Sequence, residues 1–261
     1  MNNIKSDLHP VSCGIPQGSV LGPLLFLSYI NDFNKCSKLL DFHLFADDSN
    51  LFYKHKNLLT LQSNINMELN NIYIWLSADK LSLNIDKSNF VIFHPPQKKL
   101  IQDVKFTINR KELTREYSIK YLGIFIDSHL NWKGHVNYIA KKIKRSIGIL
   151  SKIRYFTNLN VLINLYYTLI YPFIIYGIIA WGSSYPTSQK PLHILQKKAM
   201  RIITFSKFDA HSSPIFKYLT TIKLPDFYVL NIAIFMHKFH HKKLPSAFNH
   251  YFTTVNEIHA S

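Results

Sequence analysis

Two adjacent carboxylates, Asp47 and Asp48, are the residues of this sequence best placed to do chemistry. They stand between two apolar runs, residues 42–46 and 51–53, in the string DFHLFADDSNLFYKHK. The first run has strand periodicity, and the turn-forming residues Asp, Asp, Ser and Asn follow it, which predicts a β-hairpin with both carboxylates at its tip. Acids set between apolar strands are costly unless something pairs with them, and a hard cation such as Mg²⁺ takes such oxygen ligands. The alternative, that both aspartates are only turn residues, is favoured if the pair is considered by itself.

A glycine- and proline-rich string, GIPQGSVLGP, occupies residues 14–23 and precedes the aspartates. The apolar stretch at residues 20–30 that follows it is long enough for a buried helix. Gly18 and Ser19 would then lie at the helix N-terminus, where backbone N–H groups can hold an anion and glycine lets a ligand come close. An ordinary glycine loop is the alternative, although the full string is more specific than a lone G-x-P-x-G.

Apolar periodicity predicts the elements that must position these residues. Residues 58–78 have the three- and four-residue spacing of an amphipathic helix. A polar turn around residues 86–89 leads into a short strand at 90–93, and residues 105–108 and 121–126 are further strand candidates. The sequence thus predicts strands and a packing helix around the aspartate hairpin.

From Trp132 onward the pattern becomes helical. One helix carries an apolar stripe from Val136 to Ile153, a second covers residues 189–204, and a last apolar helix covers residues 225–241. The first two have cationic faces opposite the packed stripe, which suits contact with a phosphate backbone. The residues predicted to make that contact are Lys141, Lys142, Lys144, Arg145, Lys197, Lys198 and Arg201.

The charge of the 261-residue chain is strongly asymmetric. Residues 1–96 carry seven Lys/Arg against eight Asp/Glu (−1), residues 97–154 fourteen against four (+10), and residues 155–261 ten against three (+7). A net charge of +16 indicates a polyanion partner, and nucleic acid is favoured over an anionic membrane surface or a merely solvated basic face. With 47% hydrophobic residues, the chain can form a substantial core. The two cysteines give no disulfide framework, so we expect an intracellular, reducing location, with nucleus or cytoplasm left open.

Two other features have competing interpretations. Residues 155–189 carry no charge, and residues 161–181 could span a bilayer, but Pro172 and Gly177 interrupt them and favour shorter buried helices. His237, His240 and His241 have metal-ligand spacing, yet no cysteine or acid accompanies them, which favours a basic helix end.

The order of the segments resembles one family. GIPQGSVLGPLLFLSYINDF followed by LFADD resembles reverse transcriptases of non-LTR (LINE-type, jockey-like) retrotransposons. LSLNIDKSNFVIF resembles the fourth palm motif of that family, and YLGIFIDSHLNWKGHV resembles its primer-grip motif. LYYTLIYPFIIYGIIAWG and LQKKAMRIIT resemble the region after the polymerase core, so that the resemblance covers residues 10–250.

The resemblance implies an α+β fold: a partial polymerase palm with an antiparallel sheet and packing helices at residues 1–127, a mostly α-helical thumb at 128–204 and a C-terminal helical extension at 205–261. It also implies an RNA template, a DNA primer, deoxynucleotides and two Mg²⁺ ions. Position by position, it places Asp47 and Asp48 at the catalytic metal site and Lys87 near the nucleotide phosphates. Nucleotide and template contacts fall to Gln17, Gly18 and Ser19, and the primer grip to Tyr121, Leu122 and Gly123.

The sequence departs from the family at its start. The family has another catalytic aspartate in a motif well upstream of GIPQGS, whereas thirteen residues precede Gly14 here and Asp7, in KSDLHP, does not match that motif. We therefore expect the C-terminal part of a reverse transcriptase, without endonuclease or ribonuclease H segments and with little or no activity alone. The alternatives are a non-catalytic nucleic-acid-binding remnant, a subunit that gains the aspartate from another chain, and an unexpressed relic.

Overall fold

The computed structural model describes residues 18–98, 103–249 and 251–252. They form two compact units. One, the hairpin unit, contains the described residues of Met1–Phe90 and Lys99–Glu116; the other, the helical unit, contains those of Val91–Lys98 and Tyr117–Ser261. Helices and small two-stranded sheets make up both, which confirms the α+β class. The predicted boundaries of palm, thumb and extension stay predictions.

The hairpin unit combines two α-helices with short strands in its described part. Its strands pair as β1 with β2 and β4 with β5, both antiparallel, and as β3 with β6 in parallel. The elements are α1 (Gly22–Ile30), β1 (Asp41–Phe45), β2 (Asp48–Phe52), α2 (Leu58–Ala78), β3 (Asn89–Phe90), β4 (Thr107–Ile108), β5 (Lys111–Glu112) and β6 (Thr114–Arg115), with 3₁₀ turns at Phe33–Cys36 and Ile85–Lys87.

Helix α2 is confirmed at the predicted bounds, and its sequence explains why it begins and packs where it does. The Asn57 side chain accepts hydrogen bonds from the backbone N–H groups of Leu59 (2.8 Å) and Thr60 (3.2 Å), as an N-cap does. The C-terminal half of its apolar stripe, Leu69, Ile72 and Leu76, is buried, and Trp75 packs against Phe33 with ring centroids 4.8 Å apart. Helix α2 is therefore the packing helix of this unit.

Helix α1 forms as predicted, but the expectation that it is buried is wrong among the described residues. Only Ile30 is buried, whereas Leu24, Leu25 and Leu27 are at least half exposed. An apolar run without a polar stripe predicts a helix but does not specify which face is covered. An exposed apolar patch of this kind is typical of a surface that another segment covers.

Two strand predictions were longer than the strands that form. The strand expected at 90–93 is only β3, and the one expected at 105–108 is only β4. The run at 121–126 is not one strand, because β7 (Ser118–Tyr121) and β8 (Ile124–Asp127) fold into a hairpin. Leu122 and Gly123 between them have φ of 44° and 86°, the paired positive values of a tight two-residue turn. Leucine gives no turn signal, which is why apolar patterning missed it.

In the helical unit, seven α-helices follow the β7–β8 hairpin among the described residues. They are α3 (Lys133–Ile153), α4 (Leu159–Leu169), α5 (Tyr171–Ile175), α6 (Ile178–Trp181), α7 (Pro186–Ile203), α8 (Ser212–Tyr218) and α9 (Leu224–His240). Shorter helices thus replace the span weighed at 161–181, with breaks near Pro172 and Gly177. Within the described residues, no helix has the length and hydropathy needed to cross a membrane.

The core of the helical unit forms mainly between α3 and α7. Ile143 and Leu150 of α3 and Leu192 of α7 are completely buried, and Trp181 of α6 lies in the same cluster. The Trp181 Nε1–H donates to the Tyr176 carbonyl at 2.9 Å, so this large side chain is buried with its polar atom satisfied.

His135, in the first turn of α3, is a buried histidine. Its Nδ1 accepts a hydrogen bond from the Phe125 N–H at 3.3 Å, and its ring lies edge-on to Trp181 with centroids 5.8 Å apart. Its Nε2 is buried and has no hydrogen-bond partner among the described residues. Burial lowers the pKa of His135 from 6.5 to about 4, because the charged imidazolium is poorly solvated there.

We expect this histidine to make the helical unit less stable in acid. In the unfolded chain its pKa is the ordinary 6.5, so between pH 6.5 and about 4 the unfolded state binds a proton that the folded state does not. The free energy of unfolding should fall by about 1–2 kcal/mol from this group between pH 7.5 and 5. Urea unfolding of the chain and of His135→Gln at pH 7.5 and at pH 5 measures this fall in the free energy of unfolding. The variant should lack the part of the fall that His135 causes. His211→Gln, at an exposed position, is the control; equal pH dependence in all three proteins would contradict the assignment.

Candidate active site and nucleic-acid interface

The adjacent aspartates lie at the tip of the β1–β2 hairpin. Strand pairing joins Phe45 to Asp48, so the turn contains only Ala46 and Asp47, and Asp48 is the first residue of β2. The second strand therefore starts three residues earlier than the predicted 51–53, which corrects the wider turn expected from Asp, Asp, Ser and Asn. Cross-strand pairing has overridden the turn preference of these residues, as tertiary context commonly does.

The turn is strained at Ala46. Its φ is 52°, in the left-handed region that non-glycine residues rarely adopt and that costs about 1–2 kcal/mol. This conformation allows the chain to reverse within two residues and keeps the two carboxylates next to one another at the hairpin tip. Backbone strain of this kind is concentrated at functional sites, so the turn is a stronger candidate than a relaxed loop of the same composition.

The two faces of the hairpin have different surroundings. Phe42 and Leu51, paired on one face, are half-buried, and Phe42 packs edge-on against Phe33 with centroids 5.0 Å apart. Phe45 and Asp48 are paired on the opposite face, which is exposed. One face thus fixes the hairpin to its unit while the tip and the other face remain accessible to a ligand.

The donor set at the tip fits part of an oxygen-liganded metal site. Asp47 and Asp48 are exposed carboxylates, and the one ion pair among the described residues joins Lys105 to Glu112 instead. Carboxylate oxygens are the ligands that Mg²⁺ prefers. No group of three His, Cys, Asp or Glu side chains within the described ranges could hold a metal ion. The hairpin therefore offers two of the ligands that a complete site requires.

Of four other predicted site residues in this part of the sequence, the structure describes three. Gln17 lies outside the described residues. Gly18 has a φ of 87°, and there is open space where a side chain would begin, consistent with a loop that a ligand could approach. The Ser19 hydroxyl accepts a hydrogen bond from the Gly22 N–H at 3.2 Å, so it caps the start of α1. Lys87 ends the 3₁₀ turn, is exposed, and forms no ion pair with either aspartate.

The predicted primer-grip residues lie on the β7–β8 hairpin of the helical unit. Tyr121 ends β7, and Leu122 and Gly123 form its turn. The Tyr176 hydroxyl donates to the Leu122 carbonyl at 2.6 Å, and a Cβ on Gly123 would be 3.4 Å from the Tyr176 ring. Tyr176 therefore supports this turn. Sequence patterning missed that role because Tyr176 belongs to a long uncharged stretch whose residues all resemble core.

The predicted phosphate-contacting cations lie on α3 and α7, which pack against each other. Lys141, Lys144, Arg145 and Lys198 are exposed, while the Arg201 Nε–H donates to the Ala210 carbonyl at 2.8 Å. Residues 128–208 contain twelve Lys/Arg and no Asp/Glu. Within the described residues, the one salt bridge joins Lys105 to Glu112, so none of these twelve cations is neutralised there. Such an uncompensated surface is the electrostatic footprint of a nucleic-acid binder.

Comparison with known proteins finds sequence similarity to reverse transcriptases. Residues 1–126 match the family described as reverse transcriptase (RNA-dependent DNA polymerase). The chain is 24% identical over 236 residues to the RNA-directed DNA polymerase from mobile element jockey of Drosophila melanogaster, covering 87% of this chain and 25% of that protein. It is 28% identical over 211 residues to the probable RNA-directed DNA polymerase from transposon X-element of the same species, covering 76% and 22%.

A third relative, the probable RNA-directed DNA polymerase from transposon BS of Drosophila melanogaster, is 26% identical over 222 residues, with 78% and 24% covered. The chain thus spans about a quarter of the length of the curated relatives it matches. No solved structure matches it.

Proposed function

We propose, from the match of residues 1–126 to the reverse transcriptase family, that the chain is the partial palm and the thumb of a polymerase that copies RNA into DNA. The observation that carries the proposal is the pair of exposed carboxylates on a strained two-residue turn, inside the matched segment. The partners proposed are an RNA template, a DNA primer and deoxynucleotides.

In this proposal, Asp47 and Asp48 hold Mg²⁺. When bound, the metal neutralises the negative charge that develops on the phosphate oxygens as a primer hydroxyl displaces pyrophosphate. Gly18 and Ser19 lie beside the incoming nucleotide, and Lys87 places a cation near its phosphates. Tyr121, Leu122 and Gly123 orient the primer end. The two-residue turn contributes by placing both carboxylates at adjacent positions of the hairpin tip.

We expect the 261-residue chain to be a poor catalyst by itself. Two neighbouring carboxylates cannot surround two ions that each require several oxygens in near-octahedral order. Within the described residues, β1 and β2 pair only with each other, so no further strand delivers a third carboxylate to the tip. The unpaired edges of this hairpin are also an aggregation hazard.

A direct test combines metal binding with primer extension. With a homopolymer RNA template and a DNA primer, the purified chain should give no more product than Asp47→Asn. Mn²⁺, followed by electron paramagnetic resonance, should bind weakly to the chain and several-fold more weakly to an Asp47→Asn/Asp48→Asn variant, because both carboxylates are removed. Asp103→Asn, at an exposed position of the same unit, should bind Mn²⁺ as the parent does.

Two results would count against parts of this proposal. Primer extension that is abolished by Asp47→Asn would show that the chain completes its own site. Mn²⁺ binding that is unchanged in the double variant would remove the hairpin from the metal site.

A second candidate function is non-catalytic binding of nucleic acid. The acid-free segment of residues 128–208, with its twelve cations, favours it. Binding of RNA or DNA that weakens steeply with salt, together with absent primer extension even when an upstream polymerase segment is supplied, would identify that function.

A further inference from the structure

The ends of α3 and α7 bring an arginine and two aromatic rings together. The Arg154 guanidinium carbon lies 4.6 Å from the centroid of Tyr155 and 4.8 Å from that of Phe205. The two rings are edge-to-face at 5.9 Å, and an Arg154 Nη2–H donates to the Tyr155 hydroxyl at 2.6 Å. This trio, together with Phe156 and Phe208, which are close to it in the sequence, is called the aromatic cluster below.

The aromatic cluster is exposed to a degree that folding does not explain. Phe156 is 87% exposed and Phe208 is 83% exposed, while Tyr155 and Phe205 are also more than half exposed. Exposing four large rings forfeits the stabilisation that burial of their apolar surface would contribute. Clustered exposed aromatic residues are typical of a binding surface.

Phe205 occupies a position where glycine is preferred. It follows α7 with a φ of 54°, its N–H donates to the Ile202 carbonyl, and the Ser206 N–H donates to the Arg201 carbonyl at 3.0 Å. These two bonds form a Schellman helix end, whose left-handed residue is usually glycine because a side chain there is strained. This helix end fixes the backbone from which the half-exposed Phe205 ring projects.

The charge around the aromatic cluster selects the class of partner. The segment from residue 128 to residue 208 has no acidic residue, and Arg154 itself is paired with rings, not with a carboxylate. Cationic surfaces follow a phosphate backbone, while exposed rings stack on unpaired bases. In a duplex the base faces are covered by their neighbours, so stacking selects single-stranded nucleic acid.

We propose that the aromatic cluster is a base-stacking site for single-stranded nucleic acid that lies next to the cationic faces of α3 and α7. The proposal deepens the proposed function, because it names the state of the strand that the helical unit holds. Arg154 stiffens the cluster because its guanidinium group stacks on the rings of Tyr155 and Phe205 at once. The Nε–H of Arg201, bonded to the Ala210 carbonyl, fixes the loop that carries Phe208.

The experiment compares two oligomers of equal length and charge. One is a twenty-nucleotide oligo(U), and the other is an abasic sugar-phosphate oligomer that cannot stack. Fluorescence anisotropy at constant salt gives the affinity of the full chain for each. The chain should bind oligo(U) at least tenfold more tightly than the abasic oligomer.

Three variants separate stacking from folding. Phe156→Ala/Phe208→Ala should weaken oligo(U) binding about tenfold and leave abasic binding unchanged, because both rings are almost fully exposed. Phe205→Gly removes a ring while relieving the backbone, and it should weaken oligo(U) binding without loss of thermal stability. Tyr185→Ala, an equally exposed aromatic at the other end of α7, should bind both oligomers as the parent chain does.

Each outcome decides something specific. Equal affinity of the parent chain for the two oligomers overturns the stacking site while leaving phosphate binding and the proposed polymerase in place. Failure to bind either oligomer contradicts both this site and the nucleic-acid partners of the proposed function. Loss of anionic phosphatidylserine vesicle binding in the double variant, with oligo(U) binding intact, would assign the aromatic cluster to a membrane surface and overturn the proposal.

Discussion

Gln196→Met is expected to destabilise the helical unit by about 3–5 kcal/mol, because it leaves several buried polar groups without partners. Gln196 is completely buried on α7. Its Nε2 donates to the Tyr166 hydroxyl at 3.0 Å and to the Ile222 carbonyl at 2.9 Å, and its Oε1 accepts from the Leu224 N–H at 2.9 Å. Leu224 begins α9, whose N-cap residue Lys223 makes no side-chain capping bond, so Gln196 caps that helix from a distance. Methionine keeps the shape of the side chain but none of these bonds.

Urea unfolding followed by circular dichroism measures the loss. Tyr166→Phe removes one of the three partners and should cost only about 1 kcal/mol. Lys198→Met, two positions away on the exposed side of α7, controls for the substitution itself and should stay within about 0.5 kcal/mol of the parent. A Gln196→Met loss no larger than that of Tyr166→Phe would mean that the bonds to Ile222 and Leu224 contribute nothing.

Gly182→Ala is the second substitution expected to have a large effect, with a loss of about 2–4 kcal/mol through overpacking. Gly182 is buried after α6, and its N–H donates to the Ile178 carbonyl at 2.7 Å. A Cβ there would lie 2.5 Å from that same carbonyl oxygen and 2.5 Å from the Tyr228 ring. The oxygen belongs to the backbone and cannot rotate away. Alanine must therefore disrupt either the Gly182–Ile178 hydrogen bond or the packing of α9.

Gly148→Ala is the matched control on the same unit. Gly148 lies on the exposed side of α3, and nothing is within 4 Å of its would-be Cβ. Alanine should therefore stabilise the helix by about 0.5–1 kcal/mol. Thermal unfolding of both variants decides the matter: the melting temperature should fall for Gly182→Ala and rise slightly for Gly148→Ala. An unchanged melting temperature for Gly182→Ala would show that α6 and α9 can move apart without loss of stability.

Helices of the chain could be predicted from periodicity because their stripes are long. Helix α2 begins and ends at the predicted residues, and α3 extends over its predicted apolar stripe. Strands were predicted less well, since a run such as residues 121–126 contains its own turn. That turn depends on positive φ at Leu122 and Gly123, which hydrophobicity does not encode. Burial of α1 could not be predicted either, because burial depends on what covers a helix and not on its pattern.

The candidate site likewise has features that the sequence predicts and features that it does not. Its carboxylates could be found from their position in an ordered set of motifs, and the family match supports that set. The two-residue turn at Ala46 could not, because alanine is an unusual residue for a left-handed backbone. Tyr176 and the Arg154 trio depend on contacts between residues far apart in the chain. Pairings of that kind come from tertiary packing, and a single sequence has no local signal for them.

Because the core is unevenly distributed, we expect the hairpin unit to open at a lower free energy than the helical unit. Among the described residues, the largest fully buried side chains, such as Trp181, Tyr166 and Met200, all come from the helical unit. Proteases and chaperones act first on the cooperative unit that opens at the lowest free energy. We therefore expect protease to cleave the hairpin unit before the helical unit.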